Sequence, residues 1–355
     1  MHDALTPSFT TAIAPTSPRK PGQPITVGGV TIAPGQKQRL ELPISRLPTQ
    51  TLLSLPVTVV NGRYDGPCLW LSAAIHGDEI NGVEVIRQVL TAVQPSKLHG
   101  QLIAVPIVNI FGFIEQSRYL PDRRDLNRSF PGSKRGSLAA RLAHLFMKEV
   151  VAHCDYGIDL HTASYHRCNL PQIRGDFSNA KTHAIAKAFG APIMIHASMR
   201  DGSLRQAAAK QGIPVLLYEA GEALRFDADA IATGVSGVMR VMSALGMQTF
   251  EALSSPLESI EIRETKWVRA SRSGMLHTFV KLGDRIQKKQ PLGRITDAFG
   301  EKSGKVDSPY TGIIIGYTQN PLVNQGDGMF HIAVQPEPTA PPDTPPTRDR
   351  PEPQD

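Results

Sequence analysis

Short apolar runs alternate with amphipathic segments over roughly residues 25 to 250 of the chain. The runs TLLSLPVTVVNG, GPCLWLSAAIHG and QLIAVPIVNIFG are typical of buried strands, and Asn-Gly and Gly-Pro pairs punctuate them as turn signals. The segment SLAARLAHLFMKEVVAHC instead repeats Leu138, Leu142, Leu145 and Phe146 at helical spacing, and Ser137 is placed to cap that helix. The pattern therefore predicts strands separated by helices.

The same alternation continues toward the middle of the chain. DYGIDLHT and IPVLLYEAG read as strands, and HAIAKAFGAP between them reads as a helix that ends at Gly190. Together the segments predict an α/β layered domain, in which catalytic residues lie where strands end.

From about residue 257 the chain changes to short strands with turn signals, including GMLHTFVKLGDRI and GKVDSPYTGIIIGY. This change predicts a separate small all-β domain. We therefore expect an α/β domain at 23–252 and a β domain at 257–335. The Pro-rich segments at 1–22 and 336–355 are expected to be disordered arms.

Composition narrows the functional classes. The 355 residues are 41% hydrophobic and 20% charged, as in soluble globular proteins, and no secretory or membrane-spanning apolar run occurs. The three cysteines have no C-x-x-C spacing, which favours buried, reduced thiols and a cytoplasmic location. The net charge of +6 comes without a Lys/Arg-rich block, so we expect a small acidic substrate rather than nucleic acid or a membrane.

His76 and Glu79 form an H-x-x-E pair that follows an apolar strand pattern and precedes a helical one. His161 ends a second strand pattern, which places it at the same edge of the predicted sheet. Two histidines and one glutamate are a common catalytic zinc set that leaves a position for water. Asp159 is either structural or orients the imidazole of His161. The absence of H-E-x-x-H, G-x-S-x-G and P-loop patterns removes the commonest competing mechanisms.

A zinc hydrolase also needs a general base, and Glu219 is the best candidate because it ends the strand pattern VLLYEAG just before a glycine. Glu222 is the competing choice, but its position beyond Gly221 predicts a more exposed side chain.

The segment SRYLPDRRDLNRSFPG is dense in groups that bind anions. Its members are Arg118, Arg123, Arg124, Asn127 and Arg128. Guanidinium groups hold carboxylates in bidentate fashion and stabilise an oxyanion. Arg123 and Arg124 are expected to be solvated, and Asp125 is expected to pair with one of the arginines.

Four motifs in order, HGDE at 76–79, DLNRSFPG at 125–132, DLHT at 159–162 and YEAG at 218–221, resemble the succinylglutamate desuccinylase/aspartoacylase family of zinc carboxypeptidase-like hydrolases. The resemblance implies a three-layer domain with a mixed central sheet and a C-terminal β domain similar to barrel-sandwich, lipoyl-type modules. It implies one Zn²⁺ per chain on His76, Glu79 and His161, and Glu219 as the base. Asn127 and Arg128 would bind the substrate carboxylate, and Arg118 would polarise the carbonyl.

The implied activity is a deacylase that cleaves the amide of an N-acyl amino acid. A carboxypeptidase acting on peptides or poly-amino-acid tails would use the same groups and remains the alternative. A non-catalytic binding protein with this fold is a third hypothesis. The sequence leaves open the acyl group, the amino acid and the formation of homo-oligomers.

Overall fold

A computed structural model describes residues 20–164, 166–251, 253, 258–300 and 302–335. The chain divides into two compact units, with the boundary between Arg263 and Glu264. Of the two predicted terminal arms, only residues 20–22 are among the described residues. The strand Ile260–Ile262 lies beyond the expected domain boundary at 257, but it pairs with Ile193–His196 and falls within the first unit.

The first unit contains eleven strands among its described residues. They are β1 (Ile25–Val27), β2 (Val30–Ile32), β3 (Gln36–Arg46), β4 (Leu52–Asn61), β5 (Tyr64–Ala73), β6 (His99–Val105), β7 (Tyr156–Ala163), β8 (Arg167–Gly175), β9 (Ile193–His196), β10 (Val215–Glu222) and β11 (Ile260–Ile262). Its α-helices are α1 (Asn81–Ala92), α2 (Ile110–Ile114), α3 (Leu138–Glu149), α4 (Ala180–Phe189), α5 (Leu204–Ala209) and α6 (Ala228–Ala244). Two short 3₁₀ turns lie at Leu126–Arg128 and Val151–His153.

Nine of these strands form one mixed sheet in the order β3, β4, β6, β5, β7, β10, β8, β9, β11. The central strands β6, β5, β7 and β10 are parallel to one another, whereas β8 runs antiparallel to β10. The carboxyl ends of β5, β7 and β10 therefore meet at one edge of the sheet, where ligands bind in open α/β sheets.

Both faces of the sheet are covered by helices. On β5, Trp70 packs into the core cluster that includes α3 and α5, while Leu69 packs into the cluster that includes α1, α4 and α6. Side chains of alternate strand residues point to opposite faces, so β5 contributes to both layers. The three-layer α/β domain with a mixed sheet is confirmed.

The helix ends follow the expected chemistry. The Ser137 hydroxyl accepts a hydrogen bond from the Ala140 N–H and caps α3. Helix α4 ends at Gly190, whose φ of 70° lies in the left-handed region that glycine favours. All three cysteines are free and buried, as predicted. None of the described helices has both the length and the apolar character needed to cross a bilayer.

The second unit is all-β, as predicted. Its strands are β12 (Thr265–Arg269), β13 (Gly274–Thr278), β14 (Arg285–Ile286), β15 (Pro291–Thr296), β16 (Ser303–Asp307), β17 (Gly312–Thr318), β18 (Leu322–Val323) and β19 (Gly328–Val334). One group of strands has the order β12, β19, β17, β14, and the other has the order β16, β15, β13, β18. Residues of both groups, among them Leu276, Ile295 and Phe330, share one core.

Candidate metal and catalytic site

The turn between β5 and α1 carries His76 and Glu79, which are 4% and 2% exposed. The turn packs tightly on α2, because a Cβ at Gly77 would lie 2.0 Å from the carbonyl carbon of Gly112. The Glu79 N–H also bonds to the His76 carbonyl at 3.1 Å. Close packing therefore fixes both side chains at the sheet edge.

His161 completes the group from the end of β7. Its Nδ1 lies 2.7 Å from Glu79 Oε2, and His76 Nδ1 lies 2.7 Å from Glu79 Oε1. One potential ligand atom from each of the three residues lies within 4.8 Å of the other two. The structure thus brings together all three predicted metal ligands.

Each imidazole is oriented by a carboxylate at its second nitrogen. His161 Nε2 lies 2.9 Å from Asp159 Oδ2, and the Ser72 hydroxyl donates to Asp159 Oδ1 at 2.7 Å. His76 Nε2 lies 3.1 Å from Asp125 Oδ1. Carboxylates in this position fix the orientation of metal-binding histidines and increase their basicity. Of the two roles considered for Asp159, the structure supports the orienting one.

The electrostatics of the group are those of a cation site. Burial opposes charge on Glu79, but the two imidazoles outweigh it and hold the pKa of Glu79 well below its usual range. Burial also lowers the pKa of His161, but Asp159 and Glu79 outweigh that effect and raise it well above the ordinary value. Glu79 and its neighbours therefore favour positive charge at this point.

The donor set fits a metal ion. Two imidazole nitrogens and a carboxylate converge in a buried position, and the second nitrogen of each ring is held by another group. Zinc commonly takes such a set at catalytic sites and keeps one position open. The group His76, Glu79 and His161 could hold a metal ion.

Glu219 lies beside this group on the neighbouring strand. In the parallel pairing of β10 with β7, Glu219 is the direct partner of His161. Its Oε2 accepts a hydrogen bond from Asn169 Nδ2 at 2.9 Å and lies 3.4 Å from Arg174 Nε. The predicted base therefore stands at the sheet edge with one oxygen held by Asn169.

The predicted greater exposure of Glu222 is wrong. Its side chain is 17% exposed, compared with 23% for Glu219. Glu222 Oε2 lies 3.3 Å from Nε of Arg225, an exposed side chain. The carboxylate of Glu222 is thus engaged by a surface ion pair.

Arg118 joins the metal group to the arginine-rich segment. Its Nη1 donates to Glu79 Oε1 at 3.3 Å, and its Nη2 donates to Asp125 Oδ2 at 2.8 Å. The expected pairing of Asp125 with an arginine is confirmed. Burial lowers the pKa of Arg118, but Glu79 and Asp125 outweigh that effect and raise it.

The remaining residues of that segment differ in burial. Asn127 is buried, and its Oδ1 accepts a hydrogen bond from the Leu204 N–H at 2.9 Å. Arg128 is exposed and donates to the Asn127 carbonyl. Arg123 and Arg124 are exposed, as expected. Asn127 therefore ties this segment to the first turn of α5.

Sequence reasoning missed the contribution of β8. Asn169 and Arg174 both lie near the Glu219 carboxylate, yet neither belongs to a motif. The sequence of Arg167–Gly175 shows no regular alternation of apolar and polar residues that would predict a strand. Its buried and partly buried positions do not alternate regularly either. Its antiparallel return beside β10 was visible only in the structure.

Comparisons with known proteins agree with the fold. Residues 65–245, more than half of the chain, match the succinylglutamate desuccinylase/aspartoacylase catalytic domain. The N-alpha-acetyl-L-2,4-diaminobutyric acid deacetylase of Halomonas elongata is 28% identical over 310 residues, which cover 83% of this chain and 90% of that protein.

Two solved structures have the same fold. The succinylglutamate desuccinylase/aspartoacylase of Rhodobacter sphaeroides is 25% identical with a TM-score of 0.73, covering 83% of this chain and 95% of that one. The ectoine utilization protein EutE (DoeB) of Ruegeria pomeroyi is 24% identical with a TM-score of 0.77, covering 90% of this chain and all of that one. The chain therefore belongs to the succinylglutamate desuccinylase/aspartoacylase family.

Proposed function

We propose that this protein is a zinc-dependent amidohydrolase that removes the acyl group from an N-acyl amino acid. The observation that carries the proposal is the pairing of Glu219 with His161 on adjacent parallel strands, beside the converging His76 and Glu79. A cation site and a partly exposed carboxylate then share one sheet edge, which is the arrangement that hydrolysis of an amide requires.

His76, Glu79 and His161 would hold the zinc. Zinc bound there would supply Lewis-acid chemistry that polarises the amide carbonyl and acidifies water. Asp159 and Asp125 keep the two imidazoles oriented.

Glu219 acts as the general base. Asn169 holds its Oε2, which leaves Oε1 to accept a proton from the attacking water. The same carboxyl group then returns the proton to the amide nitrogen as the carbon–nitrogen bond breaks.

Substrate is positioned by the segment that follows α2. Arg128 is exposed and offers a guanidinium group to the substrate carboxylate, with Asn127 beside it. Arg118, which lies against Glu79, steadies the oxyanion.

The relatives favour deacylation over removal of a C-terminal residue from peptides. The Halomonas elongata protein is a deacetylase of an N-acetylated amino acid, and it matches this chain over most of its length. A small N-acyl amino acid is therefore the proposed substrate.

The test combines metal analysis with hydrolysis by the full chain. Purified protein is assayed for zinc and for release of free amine from N-acetyl and N-succinyl amino acids and from short peptides. We expect about one zinc per chain and a loss of at least about 10³-fold in kcat for Glu219→Gln, with zinc retained. Glu222→Gln is the matched control and should keep wild-type activity. Activity unchanged in Glu219→Gln, or confined to peptides, would contradict the proposal.

A further inference from the structure

Three polar side chains near Glu219 have buried atoms without a hydrogen-bond partner among the described residues. They are both amide atoms of Gln172, the Nε of Arg174 and the Nη1 of Arg205. Leaving such a group buried and unpaired is unfavourable. Unpaired buried donors and acceptors gathered in one place require an explanation, and a ligand that binds beside them is one.

These side chains share one face of the sheet with the catalytic group. Gln172 on β8 is the direct partner of Glu219 on β10, and Arg174 is the partner of Leu217. Side chains at directly paired positions, and at alternate positions along a strand, lie on the same face. Gln172 and Arg174 therefore flank Glu219 on the side opposite His161.

Helix α5 brings Arg205 to the same face. Leu204 in its first turn packs in the core cluster that also contains Val215 of β10. Burial, together with the nearby Arg174 guanidinium, lowers the pKa of Arg205, although Glu219 and Asp176 oppose that shift. Arg174 therefore lies close enough to Arg205 to repel its positive charge.

The Arg174 side chain lies beside the Glu219 carboxylate. Its Nε lies 3.4 Å from Glu219 Oε2 but does not form a hydrogen bond in acceptable geometry. That carboxylate oxygen instead accepts from Asn169 at 2.9 Å. The Arg174 side chain is 21% exposed, so part of it reaches the surface although its Nε is buried.

We propose that Arg174 determines specificity by binding a second carboxylate of the substrate on the β8 side of Glu219. This inference rests on the proposed function and assigns a role to a residue outside the family motifs. The second carboxylate belongs either to the amino-acid side chain or to the acyl chain. A substrate with a cationic side chain, such as that of the Halomonas elongata deacetylase, would meet like charge here.

The experiment measures binding rather than turnover, so it is informative even if the catalytic proposal fails. Isothermal titration calorimetry on the zinc-loaded full chain compares aspartate with its neutral isostere asparagine and with 2,4-diaminobutyrate. A second comparison, of succinate with acetate, tests whether the second carboxylate belongs to the acyl chain. We expect that either aspartate binds at least about 10-fold more tightly than asparagine, or succinate binds at least about 10-fold more tightly than acetate.

Arg174→Gln should reduce that preference to less than about 3-fold and leave the affinity for asparagine or acetate within about 2-fold. Arg141→Gln, which removes an exposed arginine on α3, is the charge-matched control and should keep the full preference. Equal loss of affinity for the charged and neutral ligands would overturn the proposal, as would a wild-type protein that prefers neither dicarboxylate.

Thermal melting of each variant accompanies the titrations. If Arg174→Gln does not melt cooperatively, the titrations use Arg174→Lys instead. Lysine keeps the positive charge but cannot form two parallel hydrogen bonds to a carboxylate. The preference of Arg174→Lys should then fall by about 3-fold to 10-fold. An unchanged preference in that variant would overturn the assignment.

Discussion

Glu219 and His161 are direct neighbours in the parallel pairing of β10 with β7. Their backbones are joined by the strand ladder, so the distance between the candidate base and a candidate metal ligand is set by sheet geometry rather than by a loop. Parallel strands lie about 4.8 Å apart. A rigid scaffold of this kind keeps catalytic groups in place without a separate positioning step.

Asn169 fixes the orientation of the Glu219 carboxylate, since its Nδ2 donates to Oε2 at 2.9 Å. Asn169→Ala should lower kcat by about 10-fold with little change in KM, because a freely rotating carboxylate spends less time aimed at the water. Steady-state kinetics of the zinc-loaded protein measure this. Asn320→Ala in the second unit is the control. A change confined to KM would instead assign Asn169 to substrate binding.

Asp159 should control metal affinity. It lies 2.9 Å from His161 Nε2 and is itself held by the Ser72 hydroxyl. Asp159→Asn should weaken zinc binding by about 10-fold to 100-fold, because the amide no longer fixes and polarises the imidazole. Competition with a chromophoric chelator gives the dissociation constant.

The same titration has two further arms. Ser72→Ala should weaken zinc binding less than Asp159→Asn does, since the carboxylate itself remains. Asp307→Asn, an exposed carboxylate of the second unit, should leave zinc affinity unchanged. An Asp159→Asn protein with wild-type affinity would show that its contact with His161 is unimportant for the metal.

The sequence predicted the parts of the fold that local pattern determines. The strand before His76, the helix capped by Ser137 and the end of α4 at Gly190 each have their own local signal, and all three are confirmed. The site ligands could be predicted because each lies at or just beyond the end of an apolar strand pattern.

The rest depends on pairing across long sequence separations. Nothing local in β8 indicates that Gln172 will lie beside Glu219, since the antiparallel register is set by the whole sheet. The expectation that Glu222 is more exposed than Glu219 was wrong for a similar reason, because its 17% exposure depends on neighbours that the spacing of the sequence does not identify. Side-chain coverage is a tertiary property that spacing does not reveal.

Gly77 should be intolerant of a side chain. A Cβ there would lie 2.0 Å from the Gly112 carbonyl carbon and 2.2 Å from the Phe113 nitrogen, so backbone must move. Gly77→Ala should lower the free energy of unfolding by about 2 kcal/mol and weaken zinc binding, since His76 and Glu79 flank the displaced residue. Urea denaturation and zinc titration measure the two effects.

Gly304→Ala is the matched control, because a Cβ there would meet its nearest atom at 3.5 Å, on the flexible Arg272 side chain. It should leave both measurements near their wild-type values. If Gly77→Ala behaves like Gly304→Ala, the tight packing of the metal-binding turn on α2 is not required.

Zinc should stabilise the first unit against heat. The three ligands come from the turn after β5 and from β7, so an ion held by them joins segments 82 residues apart in the chain. At a free zinc concentration about 1,000-fold above the dissociation constant, binding contributes about 4 kcal/mol. For a unit of this size that corresponds to a rise in Tm of about 10 °C.

Differential scanning calorimetry with zinc and with excess chelator gives the shift directly. Glu79→Gln is the decisive comparison, because it removes the carboxylate that both imidazoles contact while keeping the size of the side chain. Its Tm should change by less than about 2 °C between the two conditions. If zinc raises the Tm of Glu79→Gln as much as that of the wild-type protein, zinc binds elsewhere on the chain. The assignment of His76, Glu79 and His161 as ligands would then be wrong.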